Sequence, residues 1–123
     1  MADIIYKELS YQIMAAVFEV HNVLGYGFLE KVYERALLKE LRLRGIPAEA
    51  QKEIRIYYKN DEIGTYCPDI IVNNEILLEL KSVEGLTNTH KAQVLNYLKA
   101  TGLKLGLLIN FGRERVEHER LVL

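Results

Sequence analysis

The feature that most constrains the fold is a change in the spacing of apolar residues near Pro47. Before this residue, apolar side chains recur every three or four positions, which is the spacing that buries one face of an α-helix. After it, apolar and polar residues alternate, as in Ile54, Arg55 and Ile56, which is typical of a strand with one face toward water. Helices followed by strands must pack against each other to bury both apolar faces. The pattern therefore predicts an α/β domain with a mixed sheet.

Glycine, proline and asparagine divide the two regions into elements. The first helix is predicted over Asp3–Leu24, and Gly25 and Gly27 separate it from a second helix that begins near Leu29 and stops before Gly45. The remaining predicted elements are strands over 53–58, 63–72 and 75–82, a helix from the capping residues 87–89 to 100, and strands over 103–110 and 116–122. The order is helix, helix, three antiparallel strands, helix, strand, strand.

Length and composition indicate a single domain over residues 1–123. No apolar run approaches the roughly 20 residues that span a bilayer, and the N-terminus lacks the pattern of a signal peptide. We therefore expect a cytoplasmic protein without a membrane partner. The single cysteine, Cys67, excludes an internal disulfide and a cysteine-based zinc site, and we expect it to be a small buried residue.

The formal net charge is -1, whereas proteins that grip many phosphates usually carry a positive surplus. Strong general affinity for nucleic acid is therefore not expected. A basic face is still compatible with this total, because carboxylates can be concentrated at a metal site.

Charged residues in the third predicted strand indicate a site. Alternation along this strand places Glu79 and Lys81 on one face, although the strand is otherwise nearly all apolar. A turn at Asn73 and Asn74 would fold the preceding strand back and bring Asp69 opposite Glu79, since both carboxylates are five residues from Asn74. We therefore expect two carboxylates and a lysine to converge.

Two adjacent carboxylates repel each other unless one is protonated or a cation lies between them. Ligation by oxygen alone, without Cys or His, favours Mg²⁺ or Mn²⁺. Such an ion activates water and neutralises charge on a phosphoryl group, and Lys81 could orient the water, which suits phosphodiester hydrolysis. The alternative is that Glu79 and Lys81 form a solvated cross-strand pair at the exposed end of the strand.

These residues also resemble a known signature. Pro68 and Asp69, followed after about ten positions by Glu79-Leu80-Lys81, resemble the PD-(D/E)XK motif of the restriction-endonuclease-like nucleases, whose core is a helix, three strands, a helix and a strand. The segment 27–33, GFLEKVY, is similar to the motif of the GxxExxY proteins, a small family assigned to that superfamily. The resemblance extends over nearly the whole chain.

The resemblance implies a role for each matching residue. Asp69 and Glu79 are expected to be the main metal ligands, together with the main-chain carbonyl of Leu80. Lys81 is expected to activate water or stabilise charge. Glu30 resembles an acidic residue of the preceding helix that holds a second metal or a metal-bound water.

The later helix contributes Gln93 and Tyr97, which lie one turn apart and resemble a Gln-x-x-x-Tyr element of related nucleases. The alternatives are a core tyrosine and a surface amide. For His90, a surface or capping role is the simpler explanation, and for His21 a core or hydrogen-bonding role is. Tyr33 shares its side of the helix with Glu30, and we expect it to pack in the core.

The leading hypothesis is therefore a Mg²⁺-dependent or Mn²⁺-dependent nuclease that acts on DNA in preference to RNA. So small a domain offers little surface for recognition, so a homodimer is one expected solution. Two alternatives stay open, since a fold does not dictate a function. One is a catalytically silent module that binds nucleic acid or protein, and the other is a hydrolase of a small phosphorylated metabolite. A closed pocket beside Asp69 would favour the second alternative.

Overall fold

The structure is a computed structural model that describes residues 4–123. Within that range lie three helices and seven strands. The helices are α1 (Lys7–Leu24), α2 (Glu30–Leu43) and α3 (Asn88–Thr101). The strands are β1 (Ala48–Ala50), β2 (Ile54–Tyr58), β3 (Asp61–Tyr66), β4 (Ile70–Val72), β5 (Ile76–Lys81), β6 (Leu105–Asn110) and β7 (Glu117–Val122).

Five of the strands form a mixed sheet in the order β1-β4-β5-β6-β7. Strands β5 and β6 are parallel, and the other neighbours are antiparallel. Parallel neighbours require a crossover connection, and α3 supplies it between β5 and β6. Strands β2 and β3 pair only with each other and form a separate two-stranded sheet. The predicted mixed α/β fold class is confirmed.

Strand β5 lies in the middle of the sheet and is covered on both faces. Ile76, Leu78 and Leu80 pack into the larger core with α1 and α2, whereas Leu77 packs with Leu98 of α3 on the other face. All of these side chains are almost fully buried. A strand buried on both faces is nearly continuous in apolar residues, which explains why the charged residues of β5 stand out in the sequence.

The predicted turn between β4 and β5 is present. Asn73 and Asn74 both have positive φ, of 53° and 55°. Two such residues in succession make the tight turn that matches the twist of a hairpin, and asparagine tolerates this conformation better than most residues. The turn sets the β4–β5 register, in which Val72 pairs with Ile76 and Ile70 pairs with Leu78.

Two predicted boundaries are wrong, and one strand was missed. Helix α1 begins at Lys7, because Tyr6 is left-handed (φ 51°), and the predicted start at Asp3 lies outside the described residues. The strand predicted over 63–72 is two strands in two different sheets, β3 and β4. They are separated at Pro68, which has no N–H to donate to a neighbouring strand. Strand β1, with only three residues, was too short to give a periodic signal.

The break between β3 and β4 also explains why Cys67 is exposed, whereas a buried position was expected. It lies in the irregular segment that passes from one sheet to the other, where neither core covers it.

In the part of the chain that the structure describes, no helix has the length and apolar character needed to cross a membrane.

Candidate active site

The β4–β5 hairpin places Asp69 beside Glu79. Asp69 directly precedes β4, and because Ile70 pairs with Leu78, it lies opposite Glu79. The Leu80 N–H donates a hydrogen bond to Asp69 Oδ2 (2.8 Å), and the Asp69 N–H donates one to Glu79 Oε1 (3.4 Å). Each carboxylate thus accepts a hydrogen bond from the main chain of the neighbouring segment. The two acids lie where the spacing about the asparagine turn had predicted.

Glu79 is buried although it carries a charge. Its side chain projects from β5 toward α3, and the residue is only 8% exposed. The Tyr66 hydroxyl donates a hydrogen bond to the same oxygen, Oε1, that accepts from the Asp69 N–H. The alternative of a solvated pair between Glu79 and Lys81 at the strand end is therefore inconsistent with the burial of Glu79.

Burial makes the ionised forms of both acids unfavourable. Burial, followed by the nearby charge of Asp69, raises the pKa of Glu79 to about 7. The pKa of Asp69 is also raised, chiefly by burial, although the hydrogen bond from the Leu80 N–H opposes the rise. Two carboxylates that resist ionisation together provide a strong reason to bind a cation at neutral pH.

The oxygens of this pair suit a hard divalent ion. No hydrogen bond within residues 4–123 involves Asp69 Oδ1 or Glu79 Oε2, so each carboxylate has one oxygen without a protein donor. Across the same residues, no group of three or more His, Cys, Asp or Glu side chains is arranged to hold a metal ion. A cation here would therefore need a main-chain oxygen and water in addition to the two carboxylates.

The carbonyl of Leu80 is available for this role. The Phe111 N–H donates to the Lys81 carbonyl (2.8 Å), so that carbonyl points toward β6. Successive peptide groups of a strand point to opposite edges, so the Leu80 carbonyl points to the other edge, where Asp69 lies. The donor set predicted from the motif thus fits the local geometry of β5.

Lys81 is partly exposed and lies on the same face of β5 as Glu79. Its charge lowers the pKa of both Asp69 and Glu79, although burial outweighs this effect. Among the described residues, its ammonium group takes part in no ion pair. Lys81 is therefore free to contact a ligand in front of the two acids.

A cavity of about 470 Å³ opens beside Asp69, between the sheet and the start of α2. Glu30, at the first position of α2, is exposed and lines this cavity, and its charge contributes to the raised pKa of Asp69. The residues that line the cavity are Phe28, Leu29, Glu30, Lys31, Glu34, Asp69 and Ser82. The structure thus brings Glu30 to the same cavity as Asp69.

Glu34 is a site residue that we did not predict. It lies one turn after Glu30, lines the same cavity and is only 5% exposed. Its carboxylate accepts hydrogen bonds from Lys31 (2.7 Å) and from the Gln51 amide. The charge of Glu34 raises the pKa of Asp69 more than the charge of Glu30 does. The spacing of Glu30 and Glu34 on one helix face was the available signal.

Helix α3 brings Tyr97 to the site but leaves Gln93 at the surface. The Tyr97 ring stacks on the Tyr66 ring, with centroids 3.4 Å apart. Burial and the charge of Glu79 raise the pKa of Tyr97. Gln93 is exposed and makes no hydrogen bond to a described site residue. Tyr66 itself was missed, because nothing in the sequence links it to a glutamate thirteen positions later.

Three other aromatic residues have structural roles. His90 accepts the Thr87 N–H at Nδ1 (3.0 Å) and completes the cap of α3. His21 is buried, and its Nε2 lies 2.8 Å from a main-chain carbonyl oxygen in the β6–β7 loop. Tyr33 is fully buried and donates to the Gly25 carbonyl (2.7 Å), which braces the turn between α1 and α2. The tyrosine of the GxxExxY-like segment thus supports the rim of the cavity.

Comparison with known proteins agrees with this geometry. The family model of the PD-(D/E)XK nuclease superfamily matches residues 7–121. Among solved structures, the crystal structure of SSO0001 superposes with a TM-score of 0.61 at 23% sequence identity. The match covers 76% of this chain and 50% of that one, and at this identity it supports the fold alone. No curated protein shows significant sequence similarity to the chain.

Proposed function

Because the chain belongs to the PD-(D/E)XK nuclease superfamily, we propose that it is a divalent-metal-dependent phosphodiesterase that cleaves nucleic acid. Members of this superfamily typically use divalent metal ions. The observation that carries the proposal is the interlocked pair of acids, in which Asp69 and Glu79 are held by each other's strand. A degenerate site would be expected to lose one of the acids or the lysine, and this chain retains all three.

Asp69, Glu79 and the Leu80 carbonyl would hold Mg²⁺ or Mn²⁺. When bound, the ion would supply charge neutralisation at the scissile phosphate and a lowered pKa for water. Lys81 lies beside both acids and would place its ammonium group against a phosphate oxygen or the attacking water. Because Glu79 is buried, its strand and the Tyr66 hydroxyl fix its orientation before any ligand arrives.

The residues around this core have supporting roles in the proposal. Glu30 lines the cavity beside Asp69 and would hold a second metal or a metal-bound water. Tyr97 supports the site through its stack on Tyr66. Gln93 lies one turn before Tyr97 on α3 and would contact the substrate, since it is exposed and not engaged with the described site residues.

We favour DNA over RNA as the substrate. The net charge of -1 leaves little general attraction for phosphates. Because the domain is small, we also propose that a second copy of the chain extends the binding surface. A standard specific interface with nucleic acid buries roughly 1,000 Å² or more of protein, which is a large demand on a domain of 123 residues.

The size of the cavity beside Asp69 is the observation that supports a second candidate function, although the cavity is open and is not the closed pocket that this function predicts. Its volume of about 470 Å³ lies within the range of about 300–1,000 Å³ of small-molecule pockets. A small phosphorylated metabolite could therefore be the substrate of the same residues. Three carboxylates line this cavity, so an anion would enter it only together with a cation.

The two functions are separated by testing end-labelled single-stranded DNA, duplex DNA and RNA, each with Mg²⁺, Mn²⁺ or EDTA, beside a small phosphodiester and a phosphomonoester. Wild type is compared with Asp69→Ala and Lys81→Ala. Two exposed residues supply matched controls of the same charge, Lys59→Ala in the β2–β3 turn and Asp61→Ala at the start of β3.

We expect metal-dependent cleavage of nucleic acid that is lost in both site variants and kept in both controls. Turnover of the small esters alone would support the second candidate. Inactivity of wild type on every substrate would contradict both and favour a binding module.

A further inference from the structure

Tyr66 occupies a position that no motif assigns. It is the last residue of β3, in the two-stranded sheet, whereas Glu79 lies in the central strand of the other sheet. Its hydroxyl nevertheless reaches Glu79 Oε1 at 2.5 Å. A residue from the smaller sheet thus contacts a proposed metal ligand directly.

The hydrogen bond leaves the carboxylate in one orientation. Oε1 accepts from both the Tyr66 hydroxyl and the Asp69 N–H, and no donor among residues 4–123 reaches Oε2. A carboxylate held by one oxygen presents the other in a fixed direction, which lowers the entropy cost of binding an ion. The hydroxyl is thus placed to orient the ligand and to leave its second oxygen free.

The Tyr66 ring is itself held from two sides. Its main chain pairs with Ile54 of β2, and its ring stacks on Tyr97 of α3 with an interplanar angle of 16°. The Tyr97 hydroxyl makes no hydrogen bond to any described residue, so the contact between the two tyrosines is the stack alone. Stacked aromatic pairs are stabilised beyond the effect of the area that they bury.

We propose that Tyr66 is the positioning residue of the metal ligand Glu79, and that Tyr97 acts on the site only by holding the Tyr66 ring. This inference rests on the proposed function, because it requires a cation at Asp69 and Glu79. It also assigns a role to the β2–β3 hairpin, which forms a separate two-stranded sheet and anchors the positioning residue.

The test is direct Mn²⁺ binding to the full chain, measured by electron paramagnetic resonance and by calorimetry without substrate. Tyr66→Phe removes only the hydroxyl, and Tyr97→Leu removes the stack. Tyr97→Phe keeps the stack and removes only the hydroxyl of Tyr97. Tyr58→Phe changes an exposed tyrosine of the hairpin and is the matched control.

We expect Tyr66→Phe and Tyr97→Leu each to weaken Mn²⁺ binding by about 10- to 100-fold, the usual loss when a residue that orients a metal ligand is removed. Tyr58→Phe should bind as wild type does, and Tyr97→Phe should bind Mn²⁺ more tightly than Tyr97→Leu. In the cleavage assay, Tyr66→Phe should need more Mn²⁺ for half-maximal activity, with an unchanged KM for the nucleic acid. Excess Mn²⁺ should restore its activity, whereas Lys81→Ala should not recover.

Wild-type affinity for Mn²⁺ in Tyr66→Phe would overturn the inference and leave the proposed function standing. Failure of wild type to bind Mn²⁺ would overturn both. Circular dichroism of each variant establishes that it is folded, and Tyr97→Leu provides an independent result if Tyr66→Phe does not fold. An equal loss in Tyr97→Phe and Tyr97→Leu would contradict the role of the stack.

Discussion

Glu79→Gln should stabilise the metal-free protein at alkaline pH, although it removes a proposed metal ligand. The amide has almost the same shape as the carboxylate, and its oxygen can still accept from Tyr66 and from the Asp69 N–H. What the substitution removes is a buried negative charge beside a second one. The gain should appear only where Glu79 is ionised in the wild type.

The size of the effect follows from the pKa of Glu79, which rises from an ordinary 4.5 to about 7 in the folded protein. Each tenfold change in proton affinity corresponds to about 1.4 kcal/mol, so ionisation costs the folded state about 3 kcal/mol. Because the folded pKa is the higher one, protonated Glu79 contributes its full stability to the folded protein below about pH 4.5. This contribution is lost as the pH rises through about 7. The pKa of Asp69 is raised too, so its contribution has the same sign and persists in the variant.

The assay is urea unfolding followed by circular dichroism at about pH 5 and pH 8, with EDTA present. Between these two values the wild type should lose more stability than Glu79→Gln, by about 2–3 kcal/mol, a large part of the total for a small domain. Glu53→Gln changes an exposed glutamate and serves as the control. Mg²⁺ in place of EDTA should stabilise the wild type at pH 8 and have less effect on Glu79→Gln. An equal loss of unfolding free energy in the wild type and the variant would refute the claim that ionisation of Glu79 destabilises the folded protein.

Three further predictions concern residues that support the site, and urea unfolding measures each of them. Tyr33→Phe removes the hydroxyl that donates to the Gly25 carbonyl and should cost about 1 kcal/mol. Asn110→Ala leaves both the N–H and the C=O of Val83 without their partner and should cost about 2 kcal/mol or more. Thr87→Ala removes the N-cap of α3 and should cost about 1 kcal/mol. A smaller loss for Asn110→Ala than for the other two would contradict this ranking.

Local signals in the sequence were sufficient to predict the helices and the β4–β5 hairpin. The apolar repeat of α1 and α2 is long, and Asn73 and Asn74 mark a turn whose chemistry admits few alternatives. The register of that hairpin then follows from counting residues on either side of the turn. This is why the approach of Asp69 to Glu79 could be predicted without a structure.

The contacts that could not be predicted join residues that are distant in the sequence. Tyr66 reaches Glu79 because the chain leaves one sheet at Pro68 and enters another. The alternation of apolar and polar residues continues across Pro68, so nothing in the pattern indicated two separate strands. Glu34 resembled an ordinary charged position on a helix surface, and it is hydrogen-bonded to Gln51, which lies 17 residues later. Such contacts depend on how the layers pack and not on local propensity.

The most direct test of the proposed metal site is a crystal structure of the protein soaked in Mn²⁺, with the ion located by its anomalous scattering. We expect a peak bonded to Asp69 Oδ1, Glu79 Oε2 and the Leu80 carbonyl, with Lys81 beside it and water in the remaining positions. A chain that binds Mn²⁺ elsewhere, or that shows no peak between the two carboxylates at saturating Mn²⁺, would contradict the proposed site.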